Sequence, residues 1–270
     1  MLKWIYFAIV LSGTITCADQ PVMNEVPRWA GGYGGQVFEE FRWSNDLYDG
    51  DSKAANPNRL RYEKHITHFE AVYTFESWIR VTAKLPYVRQ KRQIMDNGVK
   101  RWQKEEGWDD LKLAVPIRKY VNKRTHSGHY GIVPQVRLPV GDDDGPFPIS
   151  DGSTDFGWSF TAEYEDPVKI LSLDVTHWWN NGTNEGDELS IDTGIGWNFR
   201  DNASLKWETE LSHERGDNGQ TWIGAGPTLF WNFNDVIMSR IEYKFSVYED
   251  RKQLGFGRGD SLRIGIGVVF

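Results

Sequence analysis

Charge recurs at every second position in two stretches of this chain. Lys206, Glu208 and Glu210 form one row, Arg240, Glu242 and Lys244 form another, and Arg263 stands in the last alternating stretch. A spacing of two puts side chains on one face of an extended strand, so each row lines a single face. Glu163, Asp174 and Asp192 are placed beside them in the same way. Packed into a dry core, such residues would cost several kcal/mol each unless every one were paired. A wet lumen inside a closed sheet avoids that cost. The mixed signs predict a lateral ion-pair network across the bore, which either narrows a path for a small solute or fills the bore as structure.

Other chemistries fit less well. A hydrolase that cuts lipid esters at a barrel's outer face needs a His and a Ser on one strand face. The candidates are His177 in THWWNNGT and His213 in LSHERGDNG. Two positions on, where a Ser would share the face, stand Trp179 and Arg215; Ser212 adjoins His213 and so points the opposite way. No catalytic residue is assigned, and both histidines read as interfacial residues beside aromatics. Asp142, Asp143, Asp144, Asp151 and Asp155 offer oxygens that Ca²⁺ would accept. Their spacing matches no EF-hand loop, and a solvated acidic loop is the better reading. His65 and His68 are three apart, on opposite faces of a strand, so no metal pair is expected there. No cofactor or metal is expected, and a formal net charge of −7 argues against nucleic acid as a partner.

The elements that must position the charged rows are strands. Hydrophobic residues make up only 39% of the 270 residues, and mean hydropathy is −0.56. Beyond the N-terminus no run approaches the roughly 20 apolar residues of a spanning helix. The chain is rich in 13 Trp, 14 Phe, 11 Tyr and 27 Gly, which favours strands. Period-two alternation predicts twelve of them: 36–44, 65–75, 78–87, 110–119, 130–140, 155–164, 168–179, 187–200, 203–214, 221–233, 236–248 and 259–270. In the last, Leu262, Ile264, Ile266, Val268 and Phe270 share one apolar face, and the chain ends on an aromatic.

Joint lengths alternate. Odd strands are followed by longer polar loops, at 45–59, 90–107, 141–153, 180–186, 215–219 and 249–258. Even strands are followed by tight turns, with an exception around 122–129. Long loops outside, short turns inside and an even strand count are the pattern of an antiparallel up-and-down transmembrane β-barrel. Trp43, Tyr87, Tyr164, Trp179, Trp197, Phe199, Trp231 and Phe233 near strand ends supply its aromatic girdles. A soluble sandwich with its charged faces in water is the rival fold.

Lys3, the apolar run Trp4–Leu11 and the small residues before Asp19 predict a signal peptide over residues 1–18, cut after Ala18. The single cysteine, Cys17, falls inside it, and a lipoprotein reading is weaker because Thr14-Ile15-Thr16 approaches it poorly. Residues 19–35 are expected to be a periplasmic arm and 36–270 the barrel, in the outer membrane of a Gram-negative envelope.

Four phrases then occur in a known order: WIRVTAKLPY from Trp78, GWDDLKLAVPIRK from Gly107, VRLPVGDDDG from Val136 and STDFGWSF from Ser153. In these the chain resembles the outer-membrane proteins of the phenol meta-pathway degradation family, over roughly residues 36–270. It departs from them in the charged insertion Arg89–Glu106 and in Trp108. The resemblance implies an outer-membrane barrel that transports small, poorly soluble, aromatic-like compounds by passive diffusion, without naming the solute. Membrane lipids, a small solute and the barrel-assembly machinery, met through Gly259–Phe270, are the partners expected. The rival functions are an outer-membrane lipid hydrolase and a structural or receptor barrel acting through its outside loops.

Overall fold

The distribution of residue types over the surface is inverted. Side chains such as Ile241, Ile264 and Ile266 lie open on the outside, whereas Glu40, Glu242, Lys244 and Arg80 are almost wholly buried. The buried apolar cluster among the described residues is small: Val72 and Val269, with Met238 packed against them. Such a molecule folds with lipid, not water, against its apolar face, and it can do so only as a helix or a closed barrel. No helix of the described residues is long and apolar enough to cross a membrane.

The computed structural model describes residues 30–141, 149–150, 152–181, 186–200, 202–216 and 219–270. They form β1 (Tyr33–Ser44), a small hairpin of β2 (Leu47–Gly50) and β3 (Ser52–Ala54), then β4 (Tyr62–Glu76) and β5 (Ile79–Asp96). Next come β6 (Val99–Trp108), β7 (Leu111–Ala114), β8 (Ile117–Asn122), β9 (Ser127–Leu138), β10 (Asp155–Glu165) and β11 (Lys169–Trp179). β12 (Glu188–Arg200), β13 (Ala203–Glu214), β14 (Gln220–Asn232), β15 (Ile237–Phe256) and β16 (Asp260–Val269) complete the chain.

Each wall strand pairs antiparallel with its neighbours, and β1–β16 and β14–β15 close the ring into a barrel of 12 strands. β6, β7 and β8 together make the fourth stave, since all three lie against β5. Pro116, which has no N–H to give the ladder, separates β7 from β8. The closing seam runs in unbroken register from Gly34↔Val269 to Trp43↔Asp260.

Short turns gather at one end, which is the periplasmic end by the usual asymmetry. In the β10–β11 turn Asp166 accepts from the amides of Lys169 and Val168 at 2.7 and 2.8 Å. Those bonds hold its carboxyl below the usual range. Asn234 does the same for Val236 and Ile237 in the β14–β15 turn.

Several predicted boundaries shift. Tyr33–Gly35, expected in the arm, already pair with Tyr73, Val72 and Ala71 of β4, so the first strand starts at Tyr33. The signal peptide and residues 19–29 lie outside the described residues. The expected loop at 45–59 contains the β2–β3 hairpin, and β2 pairs with β15. The expected loop at 90–107 is no loop: β5 and β6 continue as a ladder up to Asp96↔Val99, joined through Asn97 and Gly98. The expected loop at 249–258 likewise belongs largely to β15, which runs on to Phe256. The irregular joint near residues 122–129 is the tip of the β8–β9 hairpin. Its turn is closed by the Lys123 amide donating to the His126 carbonyl at 2.9 Å, and it extends past the start of β5.

Candidate functional site in the barrel lumen

Alternation along β13 turns Leu205 and Trp207 outward and Lys206, Glu208 and Glu210 into the bore. On β15 it turns Ile241, Tyr243 and Phe245 outward and Arg240, Glu242 and Lys244 inward. Between these two strands lies β14, which offers the bore Gly224, Gly226 and Thr228. These small side chains leave room for the rows to meet across the intervening strand. At Gly226 a Cβ would stand 1.9 Å from the Tyr243 carbonyl oxygen.

The seven predicted residues fall into one network. Lys206 lies 3.4 Å from Glu208, whose other oxygen is 3.2 Å from Arg240 and accepts the Thr228 hydroxyl at 2.6 Å. Arg240 pairs with Glu242. Glu242 is 3.2 Å from Arg263 and 3.5 Å from Lys244, and Lys244 is 2.7 Å from Glu210. The structure adds members that the rows did not include. Glu40 on β1 receives Arg263 at 3.1 Å, His68 at 3.0 Å, and Arg42. Arg258 reaches Glu210 at 2.9 Å, and Asp192, which its spacing had placed beside the rows, stands 3.9 Å from Lys244. Asp174 is buried and accepts from Thr176 at 2.6 Å, in a polar chain that continues to Ser159 and Gln135.

This layer divides the bore. On its outer side is a vestibule of about 1070 Å³, whose floor is made by Glu40, Arg263, Glu210 and Asp192. On the periplasmic side is a small chamber of about 70 Å³ lined by Lys206, Arg240, Phe230 and Glu163 among others. Glu208, Glu242 and Lys244 lie between the two and line neither.

The remaining candidates are scattered. His177 is on the outer face, its ring 4.8 Å from Trp179 and its Nε2 3.8 Å from Asp187. His213 shares a bond with the Thr221 hydroxyl at 2.9 Å. His65 faces outward and His68 inward, as their spacing requires. Asp142, Asp143, Asp144 and Asp151 lie outside the described residues. Asp155 is buried and accepts from Ser153 and from the Asn181 amide at 2.8 and 2.9 Å. No group of metal ligands occurs among the described residues.

One outward feature went unread in the sequence. Glu39 shares the outer face of β1 with Val37 and Phe41, and there it meets His65 and accepts the Thr67 hydroxyl at 3.1 Å. Because that hydroxyl gives its proton to Glu39, it is not paired with the imidazole as a nucleophile would be.

Residues 44–264 match the model of the family described as "Putative MetA-pathway of phenol degradation". No curated protein matches the chain in sequence. Among solved structures, it is similar to the crystal structure of an outer membrane channel from Pseudomonas putida F1. The TM-score is 0.75 at 13% identity, over 94% of this chain and 100% of that one. It is similar also to the KdgM porin in complex with disordered oligogalacturonate, with a TM-score of 0.51 at 8% identity over 87% and 99% of the two chains. These likenesses are of fold, and they agree with the closed outer-membrane barrel.

Proposed function

Because this chain belongs to the MetA-pathway phenol-degradation family, we propose that it is a passive outer-membrane channel for small, poorly soluble compounds, constricted by the charged layer in its lumen. The observation that carries this reading is the vestibule of about 1070 Å³ ending on Glu40 and Arg263. A barrel built only as a scaffold has no use for a roomy outer chamber above a thin septum. The likeness to a solved outer membrane channel supports the same reading. Lys206, Glu208, Glu210, Arg240, Glu242, Lys244 and Arg263 are then the residues a solute passes. They hold the path closed to large molecules by spanning it in ion pairs, and a solute crosses when one pair parts.

Planar-bilayer conductance tests this. The wild type is expected to give small openings, and Arg240→Ser/Glu242→Ser, which removes two arms of the septum, larger ones. The fold of each is checked by the band shift of unboiled against boiled samples. If both proteins show that shift and both stay silent in the bilayer, the channel reading fails.

The same reading makes Gly259–Phe270 the segment presented to the barrel-assembly machinery. Its support is the outward stripe Leu262, Ile264, Ile266 and Val268, ending on exposed Phe270.

A further inference from the structure

In the upper part of the β5–β6 hairpin Gln90 and Arg92 line the vestibule, whereas Arg89, Lys91, Lys100 and Lys104 do not. Tyr87 and Trp108 stand opposite each other in the ladder, their rings 5.2 Å apart edge to face, and Phe69 adjoins Trp108 at 5.9 Å. This outward cluster has the character of an interfacial girdle, where amphipathic rings meet lipid headgroups. Above it both strands continue outward, and alternation puts their next outward side chains on the same exterior face.

Four of those side chains are basic, with Gln93, Met95, Trp102 and Glu106 between them. Arg89 lies 5.6 Å from the Tyr87 ring, and Lys91 lies 5.0 Å from the Trp102 ring. Lys100 and Lys104 follow on β6, and both are exposed. Lys91 and Lys104 are direct cross-strand partners. Like charges in that position oppose pairing. Glu63 answers Lys91 at 2.7 Å, and Glu106 stands opposite Arg89 in the ladder. Among the described residues, Arg89, Lys100 and Lys104 have no carboxylate within ion-pair distance. These cations lie outside the wall, away from the bore, where a solute in the vestibule cannot meet them.

We propose that this exterior face binds the phosphate groups of the phosphorylated glycolipid in the outer leaflet. Three observations point to that partner: the cations sit directly above the aromatic girdle, they face the surrounding membrane, and Arg89, Lys100 and Lys104 have no carboxylate partner among the described residues. Long Lys and Arg side chains reach a headgroup phosphate from such a height, and Trp102 offers a ring for the sugar beside it. An anionic membrane surface attracts each such cation by about 1 kcal/mol. The proposal needs the membrane barrel but not conduction, so it stands or falls apart from the channel reading.

The test uses the full-length protein in detergent, checked for the heat-dependent band shift, with lipopolysaccharide as the probe. Arg89→Gln/Lys100→Gln/Lys104→Gln is expected to bind it more weakly, by roughly fivefold for each cation removed. The wild type should bind dephosphorylated lipopolysaccharide as poorly as the variant binds the intact lipid. Lys100→Arg/Lys104→Arg should bind like the wild type. If the triple variant loses its band shift, Lys104→Gln alone is measured, with a roughly fivefold loss expected. Equal binding by variant and wild type overturns the proposal, as does equal binding of phosphorylated and dephosphorylated lipid. Competition by inorganic phosphate at matching concentration would assign the site to a free anion and overturn the lipid assignment.

Discussion

Lys244 holds three carboxylates together: Glu210 at 2.7 Å, Glu242 at 3.5 Å and Asp192 at 3.9 Å. Its removal leaves like charges facing one another in a nearly closed space. Breaking a buried pair by deleting one partner costs about 3–5 kcal/mol. Lys244→Met is therefore expected to lower the urea midpoint of the detergent-folded barrel by a loss of that order. Glu210→Gln/Lys244→Met should recover part of the loss, because the two sites share one interaction. Additive losses would show that the layer is not coupled. The rows themselves were legible in the sequence because charge at every second residue has one structural meaning. Glu40 was passed over, although alternation with Val37 and Phe41 on the outer face already turns it inward, on one face with Arg42. Arg258 was hidden, in a polar stretch with no period at all.

At the level of elements, the hairpin above β5 and β6 shows where pattern reading stops. Residues 90–106 carry charge on both faces, because above the hydrocarbon layer neither face meets lipid tails, and the apolar period that marks a wall strand disappears. The local signal that remained was Asn97-Gly98, whose φ angles of +50° and +80° are those of a two-residue hairpin turn. The extension of β15 was obscured for the same reason. A β-branched residue in the left-handed region costs about 1–3 kcal/mol, so Gly98→Val should loosen the hairpin tip. Faster tryptic cleavage at Lys100 and Arg101 is the expected readout, with the barrel's heat-dependent band shift unchanged. Cleavage at the wild-type rate would mean that the turn does not set the order of this hairpin.

For the whole molecule, the decisive event is closure. The sequence showed a final apolar strand ending on an aromatic residue, and closure of twelve strands made the eleventh strand and 36–44 its partners, as found; it could not show the register, because that depends on eleven other staves curving back to the first. In the closed barrel Tyr33 donates to the Phe270 carbonyl at 2.9 Å, and Phe270 donates back at 2.7 Å. The two rings lie 5.4 Å apart. Phe270 thus combines a backbone latch, which any residue keeps, with an aromatic ring on the lipid face. Phe270→Ala separates the two, since it retains the latch and loses the ring. Refolded in detergent, this variant is expected to reach the wild-type proportion of heat-shifting protein. Expressed in cells, it should accumulate several-fold less folded barrel in the outer membrane, if the terminal ring is what the assembly machinery engages. Deleting Phe270 removes the latch as well, and should lower the folded fraction in both settings by leaving the seam open at its periplasmic end. Equal outer-membrane levels of Phe270→Ala and wild type would confine Phe270 to the latch and remove the ring from assembly.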